Sequence, residues 1–265
     1  MIIKLDNRAL IKVTGDDATT FLQSQFSNDI SLIEPNQIQI NAYCQHQGKI
    51  LALLWIFIKN KNYYLSFPND LKELVLSKLN MFKLLARVTF EDFSSKINQY
   101  GLIDENYEGS FKLLSNLSLF TTKDTHESNC SMNFWEKACI DSNLPEINPS
   151  TSEQFIPQAL NLDVNDFGVS FTKGCYPGQE VVARMHYLGK SKRRLFRFLS
   201  KFDANVGDSL YVKESISLKS SGIVLRVAKI DDGFHILGTF EIKHVSSHVY
   251  LNGDSNKPLM IINAE

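Results

Sequence analysis

Two rhythms of apolar residues run along the chain and divide it in two. In the first part, residues 9–13 read as a strand ending at Thr14-Gly15. Asp16 or Asp17 can then cap a helix whose apolar face is Ala18, Phe21, Leu22 and Phe26. After Pro35, residues 38–43 read as a strand, His46-Gln47-Gly48-Lys49 as a turn, and 50–58 as an unbroken apolar run. Asn60-Lys61-Asn62 turns the chain into a further strand over 63–67. Pro68-Asn69-Asp70 opens a helix with Leu71, Leu74, Val75, Leu79 and Phe82 at helical spacing. Short strand patterns follow at 87–90 and 98–103, and 131–140 reads as a helix with Phe134, Trp135 and Ala138 on one side. Helices and strands alternate here without the rhythm of a doubly wound sheet, so the expectation is an α+β region.

From Lys192 onward the period shortens. Residues 195–199, 209–212, 222–230, 234–242 and 249–251 are strand-like, with a hairpin expected at Asp232-Gly233 and a turn at Asn252-Gly253. No helix pattern follows Tyr187, so residues 191–265 are expected to form a small antiparallel β-barrel.

A hydrophobic content of 43% and a charged content of 22% belong to an ordinary folded protein. The formal net charge of −1 gives no global pull toward nucleic acid or an anionic membrane, so any RNA contact needs a local basic patch. The longest apolar run, 50–58, is far short of the roughly 20 residues of a membrane helix. The amino terminus lacks a signal-like stretch. These features predict a cytoplasmic protein with no membrane contact. Cys44, Cys130, Cys139 and Cys175 are widely spaced, which argues against a zinc site or a self-contained iron–sulfur cluster and leaves three of them as small buried hydrophobes. No metal site is expected, the six histidines show no ligand spacing, and no Walker or Rossmann glycine loop is present.

The chemistry concentrates at Lys173-Gly174-Cys175-Tyr176-Pro177-Gly178-Gln179-Glu180. Two glycines bracket the cysteine, and Pro177 stiffens the turn between them. Val181, Val182, Met185 and Leu188 then spell an amphipathic helix stopped by Gly189. Glu180 suits its first turn, and Glu180 and Arg184 are spaced for a surface ion pair. Cys175, just ahead of a helix amino terminus and two residues from Lys173, is placed for thiolate chemistry: nucleophilic, redox or metal-binding. Cys175 and Lys173 are therefore the catalytic candidates, against the plainer reading of a structural cysteine in a glycine turn. Lys190, Lys192, Arg193, Arg194 and Arg197 form a basic cluster that could meet nucleic-acid phosphates or the anionic tail of a small ligand, or simply be a solvated face.

The eight-residue run resembles Lys-Gly-Cys-Tyr-x-Gly-Gln-Glu of the folate-binding YgfZ-like family, with Pro177 at the variable place. The similarity continues through Gln154-Phe155-Ile156-Pro157-Gln158, Asn161-Leu162, Val182-Ala183-Arg184 and Lys192-Arg193, and more weakly through Phe21-Leu22-Gln23-Ser24-Gln25 and Gly48-Lys49. The resemblance implies a fold related to the aminomethyltransferase (T-protein) of glycine cleavage. Residues 1–190 would form two α+β subdomains, the second inserted at roughly 50–130, followed by the barrel. It also implies binding of tetrahydrofolate or a derivative, and transient partnership with iron–sulfur enzymes, including those that modify tRNA. Trp135, Arg8, Tyr176, Gly178, Gln179, Glu180 and Arg184 match positions of the implied folate region, Arg8 standing where the family can have Trp. T-proteins carry acidic residues just after the glycine equivalent to Gly48, where this chain has Leu51 and Ala52. Aminomethyl transfer therefore ranks behind a folate-binding accessory role. A tRNA-binding module with a structural cysteine is the third reading.

Overall fold

The computed structural model describes residues 1–212, 220–231 and 233–262. In chain order the elements are β1 (Ile2–Lys4), β2 (Arg8–Thr14), α1 (Ala18–Gln25), β3 (Gln39–Cys44), β4 (Ile50–Lys59), β5 (Asn62–Pro68), α2 (Lys72–Lys83) and β6 (Thr89–Asp92). Then come β7 (Asn98–Ile103), β8 (Phe111–Lys112), β9 (Leu117–Thr122), α3 (Met132–Asp141) and α4 (Gln179–Leu188). The chain closes with β10 (Arg193–Ser200), β11 (Ser209–Val212), β12 (Gly222–Ile230), β13 (Gly233–Glu241), β14 (Val249–Leu251) and β15 (Pro258–Ile262).

Three sheets organise these elements. The first has the order β3-β4-β5-β2-β6, and the second β1-β7-β9-β8. The last six strands close into an antiparallel barrel, β10-β13-β12-β11-β14-β15. The α+β class with a carboxy-terminal barrel thus holds. Much of 50–130 belongs to the first sheet through β4, β5 and β6, while the second recruits β1 from the amino terminus. Pairing of Ile2, Ile3 and Lys4 with Leu102, Gly101 and Tyr100 is non-local, so local pattern does not reveal it.

β4 is buried along its first eight residues, which is why its sequence is continuously apolar rather than alternating. β9 alternates buried with half-buried residues, as a strand with one covered face does. The cap expected of Asp17 is not made. Its carboxylate instead accepts the Arg87 backbone N–H at 2.8 Å, tying the start of α1 to the approach to β6. After α4 the described residues contain no α-helix, only a short 3-10 turn at Ile242–His244. The hairpin expected at Asp232-Gly233 passes through Asp232, which lies outside the described residues.

The barrel is not a separate bead. Leu195, Leu225, Ala228 and Leu237 share one continuous core with Ala138, Cys139 and Ile140 of α3. The far side of the barrel holds its own core around Phe198, Ile236 and Phe240. The seam between α3 and β12 therefore combines apolar contact with the charged cavity described next.

Candidate functional site

The cysteine loop is bolted down on either side of an exposed thiol. The Lys173 ammonium donates to the carbonyls of Gln23 at 2.6 Å, Phe26 at 2.6 Å and Asn28 at 2.8 Å, where α1 ends. All three N–H donors are thereby occupied, so Lys173 holds the loop to the end of α1 rather than facing the thiol. Burial, partly offset by Asp29, brings its pKa down to about 8. Tyr176 is buried, with the same ammonium 5.5 Å from its ring centroid. Cys175 between them is exposed, whereas Cys44 and Cys139 are buried and Cys130 half-buried. Burial pushes the Cys44 and Cys139 thiols up to about 12, which keeps them protonated.

On the far side of Cys175, Gly178 precedes α4 in a left-handed conformation, φ 81°. A Cβ there would lie 2.5 Å from the Gln45 carbonyl oxygen and 2.6 Å from the Gly48 Cα. Gly48, itself at φ +76°, lies against Val181. The two sequence segments singled out separately, Gly48-Lys49 and Gly178-Gln179, thus meet because neither backbone leaves room for a side chain at the crossing. Gly174 is under no such demand, since a Cβ there meets nothing within 4 Å. Gln179 reaches back to the Lys173 carbonyl at 3.4 Å. The i,i+4 ion pair among the described residues is Lys137–Asp141 in α3; Glu180 and Arg184 make none and stay exposed.

Arg8 and Trp135 come together elsewhere, in a cavity of about 190 Å³ where the first sheet, α3 and the barrel meet. The Arg8 guanidinium lies 3.5 Å over the Trp55 ring and bonds the Ser66 hydroxyl and carbonyl at 2.9 and 3.0 Å. It pairs with Glu146, whose same oxygen also faces Arg226 at 3.3 Å. Arg226 continues to Glu136 at 2.7 Å and to the Leu144 carbonyl at 2.8 Å. Burial disfavours charge on both arginines and lowers Arg8. At Arg226, Glu136 and Glu146 outweigh burial and raise the pKa, so the guanidinium is firmly cationic. The second carboxylate oxygen of Glu146, Oε1, is buried and has no partner among the described residues. Trp135 is only 2% exposed; it meets Trp55 at 6.3 Å, and the Gly101 backbone covers its ring. It contributes an indole rim to the cavity, not an open stacking face.

The two places are distinct. The cysteine loop abuts the Gly48 end of β4, and Trp55 lies five residues beyond Ile50, about 16 Å along the strand. The basic cluster also divides. Arg194 pairs with Asp163 at 3.1 Å and bonds the Gln158 carbonyl at 2.8 Å, while Arg193 bonds the Ser220 carbonyl at 2.7 Å and faces Glu241 at 3.6 Å. Arg197 bonds the Asp141 carbonyl at 3.3 Å. Arg194 and Arg197 thus join the barrel to the rest of the fold, whereas Arg193 is held within the barrel itself. Lys190 and Lys192 are exposed and form no ion pair among the described residues.

The relatives decide the family. The tRNA-modifying protein YgfZ of Hamiltonella defensa is 30% identical over 316 residues, spanning 98% of this chain and 89% of that one. The chain belongs to the YgfZ family. Another YgfZ relative, from Escherichia coli, is 27% identical over 270 residues, covering 88% of this chain and 82% of its own length. An uncharacterized protein of Haemophilus influenzae is 30% identical over 242 residues, or 86% and 85% of the two chains. No family model matches the chain. Among solved structures, the glycine cleavage system aminomethyltransferase T from Bartonella henselae superposes with a TM-score of 0.69 at 12% identity, over 99% of this chain and 84% of that one. The fold is therefore T-protein-like.

Within that fold this YgfZ-family chain has its own chemistry. Leu51 and Ala52 are buried in β4 and keep that stretch apolar. Glu146, Glu136 and Arg226 were not among the residues picked from sequence. A signal existed at Arg226, a lone arginine in the apolar run Ile223-Val224-Leu225-Arg226-Val227-Ala228, a position that demands a buried counter-charge. Among the described residues no group of three or more His, Cys, Asp or Glu could hold a metal, and no helix is long and apolar enough to cross a membrane.

Proposed function

We propose that the protein is a folate-binding accessory factor that supports tRNA modification, with the pterin end of tetrahydrofolate in the Arg8–Trp135 cavity and Cys175 as a working thiol of the surface. The single observation that carries the folate assignment is that Glu146, which lines the cavity, has a buried Oε1 with no partner among the described residues. A pterin presents an adjacent ring N–H and amino group, the donor pair that satisfies such an oxygen. The cavity falls below the roughly 300–1,000 Å³ of sites that enclose a whole drug-sized ligand. It suits the bicyclic ring, with the aminobenzoyl-glutamate tail outside. Arg8 pairs with Glu146 and orients it, and its spare N–H groups, with those of Arg226, suit the pterin carbonyl. Bound tetrahydrofolate supplies the capacity to donate or accept a one-carbon unit.

The names of the tRNA-modifying relatives support the link to tRNA. Association with iron–sulfur enzymes that modify tRNA follows as the finer reading. A single exposed thiolate cannot ligate a cluster alone, so any cluster contact at Cys175 needs ligands from a partner. The aminomethyltransferase alternative lacks a carboxylate at Leu51 and Ala52 to manage the folate proton.

Equilibrium titration with tetrahydrofolate tests the assignment through intrinsic fluorescence, because Trp135 lines the cavity and Trp55 packs behind it against Arg8 and Trp135. A saturable change is expected; none at high micromolar ligand refutes folate binding. In cells lacking the native protein, Cys175→Ser is expected to fold but to fail in supporting tRNA thiomethylation. Full complementation would transfer the argument to the reading in which Cys175 is only a loop residue.

A further inference from the structure

We infer that the outer face of α4 and the four residues after it form a docking strip for unpaired RNA, with Tyr187 as the base-stacking platform and Arg184, Lys190 and Lys192 as the phosphate contacts. The inference rests on the RNA-linked reading above but uses none of its cavity.

Tyr187 is 66% exposed, yet its ring is held by edge contacts, 4.8 Å from the His186 ring centre and 6.1 Å from that of Phe171. His186 in turn stacks on Phe171 at 3.7 Å and 19°. An exposed aromatic supported from behind by two others is pre-organised, so little rotamer freedom is lost when a base lies on it. Leu188 beside it is 84% exposed. Arg184 is three and four residues before these two, on the same helix face and about 4.5 and 6 Å away along the axis. Lys190 and Lys192 continue the strip as the chain leaves the helix toward β10. All three cations are exposed and make no ion pair among the described residues, in contrast to Arg193 and Arg194.

Unpaired cations interleaved with a rigid aromatic are what a single strand needs, since each base offers a face and each linkage a charge. A duplex hides its bases and would use only the lysines and arginine. With a net charge of −1 the whole molecule provides no long-range attraction, so binding is local and strongly salt-dependent.

The test uses the full chain and fluorescence anisotropy with a labelled 12-nucleotide oligouridylate, an RNA duplex of equal length, and polyglutamate as competitor. Saturable binding of the single strand at low salt, tighter than the duplex, is expected. Tyr187→Ala should weaken the single strand about tenfold while leaving the duplex unchanged. Lys190→Gln with Lys192→Gln should lower the log–log salt slope by about 1.4, at about 0.7 per lost phosphate contact on a single strand. Four results overturn the strip: no saturable binding, equal affinity for the duplex, displacement by polyglutamate at equal charge, or wild-type affinity in Tyr187→Ala. Displacement by polyglutamate would instead indicate an acidic protein surface as occupant. Folate titration of the same variants separates this outcome from failure of the cavity assignment, because none of these residues lines the cavity.

Discussion

Replacing Gly178 by alanine probes the joint that presents Cys175. At φ 81° an L-residue sits in the left-handed region, at a cost of about 1–2 kcal/mol. The new methyl would also lie 2.5 Å from the Gln45 carbonyl oxygen and 2.6 Å from the Gly48 Cα, both backbone atoms that no rotamer change can move aside. Gly48 cannot retreat freely, because a Cβ placed on it would already be only 3.1 Å from that of Val181. Forcing such a contact adds about 1–3 kcal/mol. Gly178→Ala should therefore lose about 2–5 kcal/mol in urea denaturation, and the rate at which Cys175 reacts with a thiol reagent should change as the loop is displaced. Gly174→Ala is the matched control on the other side of Cys175; its methyl meets nothing within 4 Å, so its stability should stay within about 0.5 kcal/mol of the parent. A loss below 1 kcal/mol for Gly178→Ala, or equal losses for the two variants, would refute the reasoning.

Other perturbations test the remaining parts. Glu146→Gln leaves the Arg8 guanidinium buried without its carboxylate and should destabilise by about 3–5 kcal/mol in thermal denaturation; a small change would mean that water or Glu136 serves equally well. Lys173 carries a pKa lowered to about 8 against an ordinary 10.5, so between these values the unfolded chain holds a proton that the folded chain has released. Its contribution to stability should thus rise from pH 8 to pH 10.5 and be flat below 8. Parallel stability–pH curves for wild type and Lys173→Met would contradict this. Arg194→Ala removes the pairing with Asp163 and the bond to the Gln158 carbonyl, and should cost about 1–3 kcal/mol while speeding amide exchange along β10. Unaltered exchange there would show that apolar contact alone holds the barrel.

The strand and helix pattern was largely open to view from the chain itself. The apolar run of β4, the helical spacing before α4 and the turn residues of the barrel each depend on neighbours in sequence. The short β1 and β8 and the barrel-closing strand β15 were not legible, because their own patterns are brief and β1 and β15 pair with distant strands. The octapeptide around Cys175 marked the thiol, and its exposure followed from the glycine-rich turn in which it sits. What Lys173 does could not be read there. Two residues from a cysteine it suggests thiolate activation, yet three carbonyls some 150 positions earlier take its protons. The partition of the arginines, the meeting of Gly48 with Gly178, and the Arg8–Glu146–Arg226–Glu136 chain are likewise long-range. Buried charge and backbone contact are settled by which groups fold into reach of one another, and proximity of that kind belongs to the tertiary structure alone.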